Sequence, residues 1–242
     1  MNFEAIFFAF LVGILPAFVW LFFLLREDVR CPEPKQLILL AFLSGMGAVV
    51  IALPLEYAFA DYLGTGTSSP SVLISWAIIE EVVKYGIAAA VILWRKAVDE
   101  PIDFVVYMLT TALGFAALEN TLFLISPFTS GNLGDGLATE SLRFIGSTLL
   151  HVLSSSVVGF ALAFSYRKVE TLAGYSLRSL MVIVGLILGI TLHALFNLLI
   201  ISGDESNAMN AFFSVWTGIV IFFALFEILK YFEYRNLPKN TC

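Results

Sequence analysis

Two adjacent carboxylates, Glu80 and Glu81, sit inside the apolar run Ser71-Val-Leu-Ile-Ser-Trp-Ala-Ile-Ile-Glu80-Glu81-Val-Val-Lys84-Tyr85-Gly86. Placing one ionised side chain at a bilayer centre costs roughly 2.5–3.5 kcal/mol on insertion scales, so an intramembrane carboxylate marks function by default. Lys84 follows Glu81 by three residues and Glu80 by four, so either glutamate can meet it across one helical turn. One ion pair would lower the insertion cost for one carboxylate; the second is left for general acid–base work. The chain's two histidines, His151 and His193, also fall in apolar stretches. Glu119 and Asn120 close the run Leu113-Gly-Phe-Ala-Ala-Leu-Glu-Asn, and Asn197 shares a helix face with His193 at i,i+4. An asparagine there can donate to a developing oxyanion or orient an imidazole. Each of these groups also has a plainer reading. Glu119-Asn120 and His193/Asn197 could be interhelical hydrogen-bond pairs, and His151, with the small residues Ser154 to Ser156 and Gly159 after it, could be a buried, satisfied packing residue.

These residues need membrane helices to hold them. The chain is 60% hydrophobic and 13% charged, with mean hydropathy +0.93, whereas soluble chains carry about 25% charged residues. The expected fold class is all-α, a single polytopic transmembrane domain. A span needs about 20 apolar residues, and seven segments qualify: 3–25, 36–60, 71–94, 102–126, 142–166, 179–202 and 210–232. The gaps carry Pro, Gly and charge, including Pro127 to Ser141 between spans four and five. No basic patch suited to nucleic acid is present. The N-terminus, with Glu4 and no basic residue before its apolar run, reads as a retained first span rather than a signal peptide.

Lysine and arginine set the orientation. Of the 13 in the chain, Arg26, Arg30, Lys35, Arg95, Lys96, Arg167, Lys168, Arg178, Lys230, Arg235 and Lys239 fall on one side if the N-terminus is outside and the C-terminus inside. Lys84 is intramembrane and Arg143 sits at the outer edge of span five, where it or Glu56 could snorkel or the two could pair. Asp61, Asp135, Glu140, Asp204 and Glu205 fall in the outer loops. Cys31 and Cys242 lie on the inner side, where no disulfide is expected. Asp103 begins span four, where a carboxylate suits the helix dipole, and Glu227 stands beside Lys230. At 1.5 Å rise per residue, Glu80 lies roughly 14 Å below the outer edge of span three, and Glu119, His151, His193 and Asn197 fall at similar depth in spans four, five and six. One polar site, reached by water from outside, is the expectation.

Taken in order, Glu80-Glu81-Val-Val-Lys84, Pro101-Ile-Asp103 leading to Gly114-Phe115-Ala-Ala-Leu-Glu119-Asn120, His151 with Gly159, and His193-Ala-Leu-Phe-Asn197 resemble the PrsW family of intramembrane proteases over about residues 70–200. That family is related to the CAAX prenyl endopeptidases and bacterial Abi proteins, whose first motif usually ends in arginine at a longer spacing. The resemblance implies an integral protein of the cell membrane that cleaves a single-pass, membrane-anchored substrate near the outer face. The role it brings with it is the first cleavage of an anti-sigma factor. By analogy with related glutamate-dependent endopeptidases, Glu80 would activate a water with help from His151. His193 and Asn197 would stabilise the oxyanion, Glu81 and Lys84 would orient Glu80, and Glu119 and Asn120 would support them. This metal-free reading is favoured. Its rival is zinc held by Glu80, His151 and His193 with one open position. A proton-coupled carrier and a non-catalytic scaffold resembling the seven-span Aph subunit of gamma-secretase are the non-enzyme alternatives. The Glu80-Glu81 pair argues against the scaffold, and the lack of an inverted repeat argues against the carrier.

Overall fold

In a computed structural model, the described residues are 3–27, 32–130, 133–166, 172–201 and 205–236. They form seven helices and no strand: α1 (Phe3–Glu27), α2 (Lys35–Leu63), α3 (Pro70–Val91), α4 (Pro101–Ser130), α5 (Leu133–Ser165), α6 (Leu172–Ile201) and α7 (Glu205–Asn236). Arg30, Cys31, Arg167, Lys168, Asp204, Lys239 and Cys242 lie outside the described residues, as do the side chains of Asp135, Glu140, Arg143 and Glu205. Six of the helices are long and apolar enough to cross a membrane. The helix that does not qualify is α3, because Glu80, Glu81 and Lys84 interrupt its apolar window.

Local chemistry explains the helix ends. Ser69 caps α3, its Oγ accepting from Val72 N at 3.4 Å, and Pro70 occupies the first turn, where its missing N–H costs nothing. Gly64, at φ +60, closes α2 in the left-handed conformation. The helix α3 stops at Val91, short of the expected 94: Ile92 leaves helical geometry (φ −123, ψ −53) and the chain turns toward α4. Asp103 secures that turn by accepting the backbone N–H groups of Asp99 at 2.9 Å and Glu100 at 2.8 Å. The expected gap between spans four and five, Pro127 to Ser141, is largely helix. Pro127 lies inside α4, which runs on to Ser130, and α5 begins at Leu133 rather than near 142. Proline is tolerated in membrane helices because neighbouring groups satisfy the freed carbonyl.

The centre of the bundle is α4. In its most apolar stretch 94% of residues are buried, against 28% in α1 and 22% in α7. It packs on α5, α1 and α2, while α3 bridges α2 and α6. Glycines set the closest approaches. A Cβ on Gly114 would lie 1.9 Å from the Phe42 carbonyl oxygen, and one on Gly45 would lie 1.9 Å from that of Thr111, so α2 and α4 touch backbone to backbone. Gly189 stands against the carbonyl of Ser154 in the same way, which brings α6 onto α5 one turn before His193. At the end of the bundle expected to face inward, Tyr107 OH donates to Glu33, Tyr166 OH donates to the Asp99 carbonyl at 2.8 Å, and the Arg178 guanidinium lies 4.4 Å from the Trp94 ring. Lys230 pairs with Glu227.

Candidate active site

The four central helices bring the singled-out residues together. Glu80, Glu81 and Lys84 come from α3, Glu119 and Asn120 from α4, His151 from α5, and His193 and Asn197 from α6. Lys84 is fully buried, and Glu80, Glu81, His151 and His193 are each at most 4% exposed. Helical spacing left both glutamates as partners for Lys84; the structure selects Glu81. Lys84 Nζ donates to Glu81 Oε1 at 2.5 Å, and the same carboxylate accepts from Ser154 Oγ at 2.8 Å and Ser155 Oγ at 3.4 Å. His193 Nδ1 lies 2.8 Å from Glu81 Oε1.

Glu80 is the unmatched member. Its Oε2 is buried with no hydrogen-bond partner among the described residues. It lies 3.8 Å from His151 Nδ1 and 3.8 Å from His193 Nε2. One carboxylate oxygen and two imidazole nitrogens, from Glu80, His151 and His193, all fall within 4.8 Å of one another.

The partners of the two imidazoles assign their tautomers. An ammonium can only donate, so Lys84 Nζ, 2.8 Å from His151 Nδ1, makes that nitrogen the acceptor. His151 Nε2 then carries the hydrogen and donates to Glu119 Oε2 at 2.7 Å. A carboxylate only accepts, so His193 Nδ1 donates to Glu81 and its Nε2 keeps the lone pair facing Glu80. Each histidine therefore gives its hydrogen to a carboxylate and turns its other nitrogen toward Glu80 Oε2. Carboxylate–histidine pairs of this kind orient metal-binding imidazoles and raise their basicity. The donor set also has the nitrogen and oxygen chemistry of a catalytic zinc site with three protein ligands, so the residues present fit such an ion.

The site opens into a cleft of about 80 Å³. Glu80, Glu119, His151, His193 and Asn197 share its walls with apolar residues including Leu73, Trp76, Phe123, Phe196 and Ile200. Leu73 lies near the start of α3 and Ile200 near the end of α6, the ends expected to face outward. Asn197 lines the cleft one turn from His193, outside the Glu81–Lys84 network. Asn120 Nδ2 donates to Thr148 Oγ1 at 2.9 Å, which ties α4 to α5.

Several contributors were not singled out from sequence. Ser154 and Ser155 read as small packing residues but supply two of the donors to Glu81. Ser147 Oγ donates to Glu119 Oε2 at 3.2 Å. Phe115 lies edge-on to His151 at 5.3 Å and presents its ring to Lys84 Nζ at 4.8 Å. Trp76 Nε1 donates to the Glu56 carbonyl at 3.2 Å, linking α3 to α2 at the cleft wall. A hydroxyl three or four residues after an intramembrane histidine was the available signal for Ser154 and Ser155.

A family model described as PrsW family intramembrane metalloprotease matches residues 33–228. The chain is similar to Protease PrsW of Oceanobacillus iheyensis, 24% identical over 229 residues, which cover 95% of this chain and 95% of that protein. It is also similar to Protease PrsW of Clostridioides difficile, 25% identical over 194 residues, 79% of this chain and 78% of that protein. Protease PrsW of Bacillus subtilis is 29% identical over 151 residues, 62% of this chain and 65% of that protein. No solved structure matches.

Proposed function

The chain belongs to the PrsW family of intramembrane metalloproteases, and from that premise we propose that it hydrolyses a peptide bond of a single-pass, membrane-anchored protein near the outer face, with Glu80, His151 and His193 holding a zinc-class divalent ion. It is an integral, multi-pass membrane protease, not a carrier or a scaffold. The observation that carries the metal reading is the convergence of Glu80 Oε2, His151 Nδ1 and His193 Nε2, with a carboxylate behind each histidine.

Bound there, a zinc-class ion would supply Lewis acidity toward the scissile carbonyl and make a coordinated water nucleophilic near neutral pH. The chain's own residues do the rest. Glu119 and Glu81 fix the two imidazole rings. Asn197, on the cleft wall one turn past His193, would donate to the carbonyl oxygen as it gains charge. Leu73, Trp76, Phe123 and Phe196 give the cleft apolar walls suited to an unwound, apolar substrate segment. An anti-sigma factor is the substrate class we favour, since it is the one the motif resemblance brings with it.

A metal-free reading has its own observation: Lys84 Nζ contacts the His151 nitrogen that the ion would need. There Glu80 accepts a proton from the attacking water, and His151, held by Lys84 and Glu119, assists. Cleavage of a panel of single-pass membrane proteins by purified protein and its Glu80→Gln variant, with and without chelator, tests both. Loss of activity in the variant and under chelator, restored by zinc, supports the metal reading. Chelator-resistant activity that still needs Glu80 supports the metal-free one. Equal cleavage by wild type and Glu80→Gln overturns both.

A further inference from the structure

We infer that Lys84 occupies the coordination position on His151 that a divalent ion takes, so that loading the site requires Lys84 to leave His151 Nδ1. The inference rests on the metal reading above. Lys84 Nζ sits 2.8 Å from His151 Nδ1. The other nitrogen, Nε2, is engaged by Glu119 at 2.7 Å. Nδ1 is therefore the nitrogen of His151 that faces Glu80 Oε2, at 3.8 Å. A ring nitrogen has one lone pair in the plane, and it serves one partner at a time. Lysine and ion exclude each other at this atom by geometry. They also repel by charge, since Lys84 is fully buried and screening there is weak.

The lysine has somewhere to go. Its four-carbon stem is flexible. Glu81 Oε1, 2.5 Å from Nζ, and the Phe115 ring, 4.8 Å away, are partners of the ammonium besides His151. A small rotation breaks the contact to Nδ1 while keeping the ion pair. Lys84, paired with Glu81 and seated on His151 Nδ1, thus opposes entry of a weakly held ion. Its consequence is a site whose affinity is set below what its donor atoms alone would give.

The test uses the full chain in detergent, stripped with chelator and titrated with cobalt(II), read by its absorption spectrum, with zinc in competition. Wild type, Lys84→Met, Lys84→Gln, Lys84→Arg and His193→Ala are compared. Removing the cation is expected to tighten binding by tenfold or more in the Met and Gln variants, with Arg remaining near wild type and His193→Ala losing the spectrum. Equal or weaker binding in both neutral variants, with wild-type binding still dependent on His193, overturns the inference and leaves the metal reading standing. No saturable binding in wild type or in any Lys84 variant overturns both. Should neither neutral variant fold, a structure of the zinc-loaded wild type decides. Lys84 withdrawn from His151 Nδ1 supports the inference, and a retained contact overturns it.

Discussion

His193 Nδ1 donates to Glu81 Oε1 at 2.8 Å, across 112 residues of sequence and between α3 and α6. That bond separates two neighbouring glutamates into different jobs. Glu81 gathers donors from Lys84, Ser154, Ser155 and His193, while Glu80 Oε2 gathers none. The first has the contacts of a structural anchor; the second is the one we propose as the reacting or ligating group.

Stability follows the anchor. In Glu81→Gln, Lys84 is left buried without its carboxylate, and breaking a buried pair from one side costs about 3–5 kcal/mol. The Glu81→Gln/Lys84→Met double variant should recover part of that loss. Thermal unfolding in detergent measures both. A single variant as stable as wild type would contradict the anchor role.

Glu80→Gln should do the opposite. Its Oε2 makes no hydrogen bond to lose, so the unfolding temperature should hold or rise while proteolysis disappears. A drop in stability comparable to that of Glu81→Gln would mean the two carboxylates share one structural role.

Glu119 and Asn120 are neighbours with unequal duties. Glu119 orients His151 at 2.7 Å, and losing such an outer-sphere partner typically costs about 10–100-fold in activity or metal affinity. Asn120 joins α4 to α5 through Thr148, a membrane hydrogen bond of about 0.6 kcal/mol. Glu119→Ala should therefore fall into that activity range, and Asn120→Ala should stay within a few-fold of wild type. Equal effects on turnover would remove the distinction.

Asn197→Ala tests the oxyanion assignment. Removing one such donor costs about 10²–10³ in kcat, and because Asn197 stands outside the Glu81–Lys84 network, the unfolding temperature should not move. Unchanged kcat would clear Asn197 of that role.

Gly114→Ala places a Cβ 1.9 Å from the Phe42 carbonyl oxygen, so α2 and α4 must part. Forced overpacking costs about 1–3 kcal/mol. Gly86→Ala, with open space around it, should be neutral or slightly stabilising, since alanine outperforms glycine within a helix. Similar unfolding temperatures for the two variants would refute the close-approach argument.

Much of this site was legible because a membrane makes polar residues conspicuous. Glu80, Glu81, Lys84, Glu119, His151 and His193 stand out against leucine and phenylalanine, and counting residues from each span's outer edge put Glu80, Glu119, His151, His193 and Asn197 at similar depth. The choice between Glu80 and Glu81 as the lysine's partner was not legible, because i,i+3 and i,i+4 are both neighbours on a helix. Nor were Ser154 and Ser155: a serine in a membrane helix serves packing or hydrogen bonding equally well, and only the rotation of α5 against α3 decides. The helix ends at Ser130 and Leu133 escaped because Pro127 and the polar stretch after it read as a break, whereas helix continues where backbone hydrogen bonds can still close.

The three charges that keep α3 from qualifying as an apolar span also bear on how the protein is made. A segment carrying Glu80, Glu81 and Lys84 gains little by entering lipid alone. Its stable place exists only after α5 and α6 have delivered Ser154, Ser155, His151 and His193 to receive those side chains. The helix that carries Glu80 is thus the one the bilayer would reject first. During synthesis it must wait, beside α2, for partners translated more than sixty residues later.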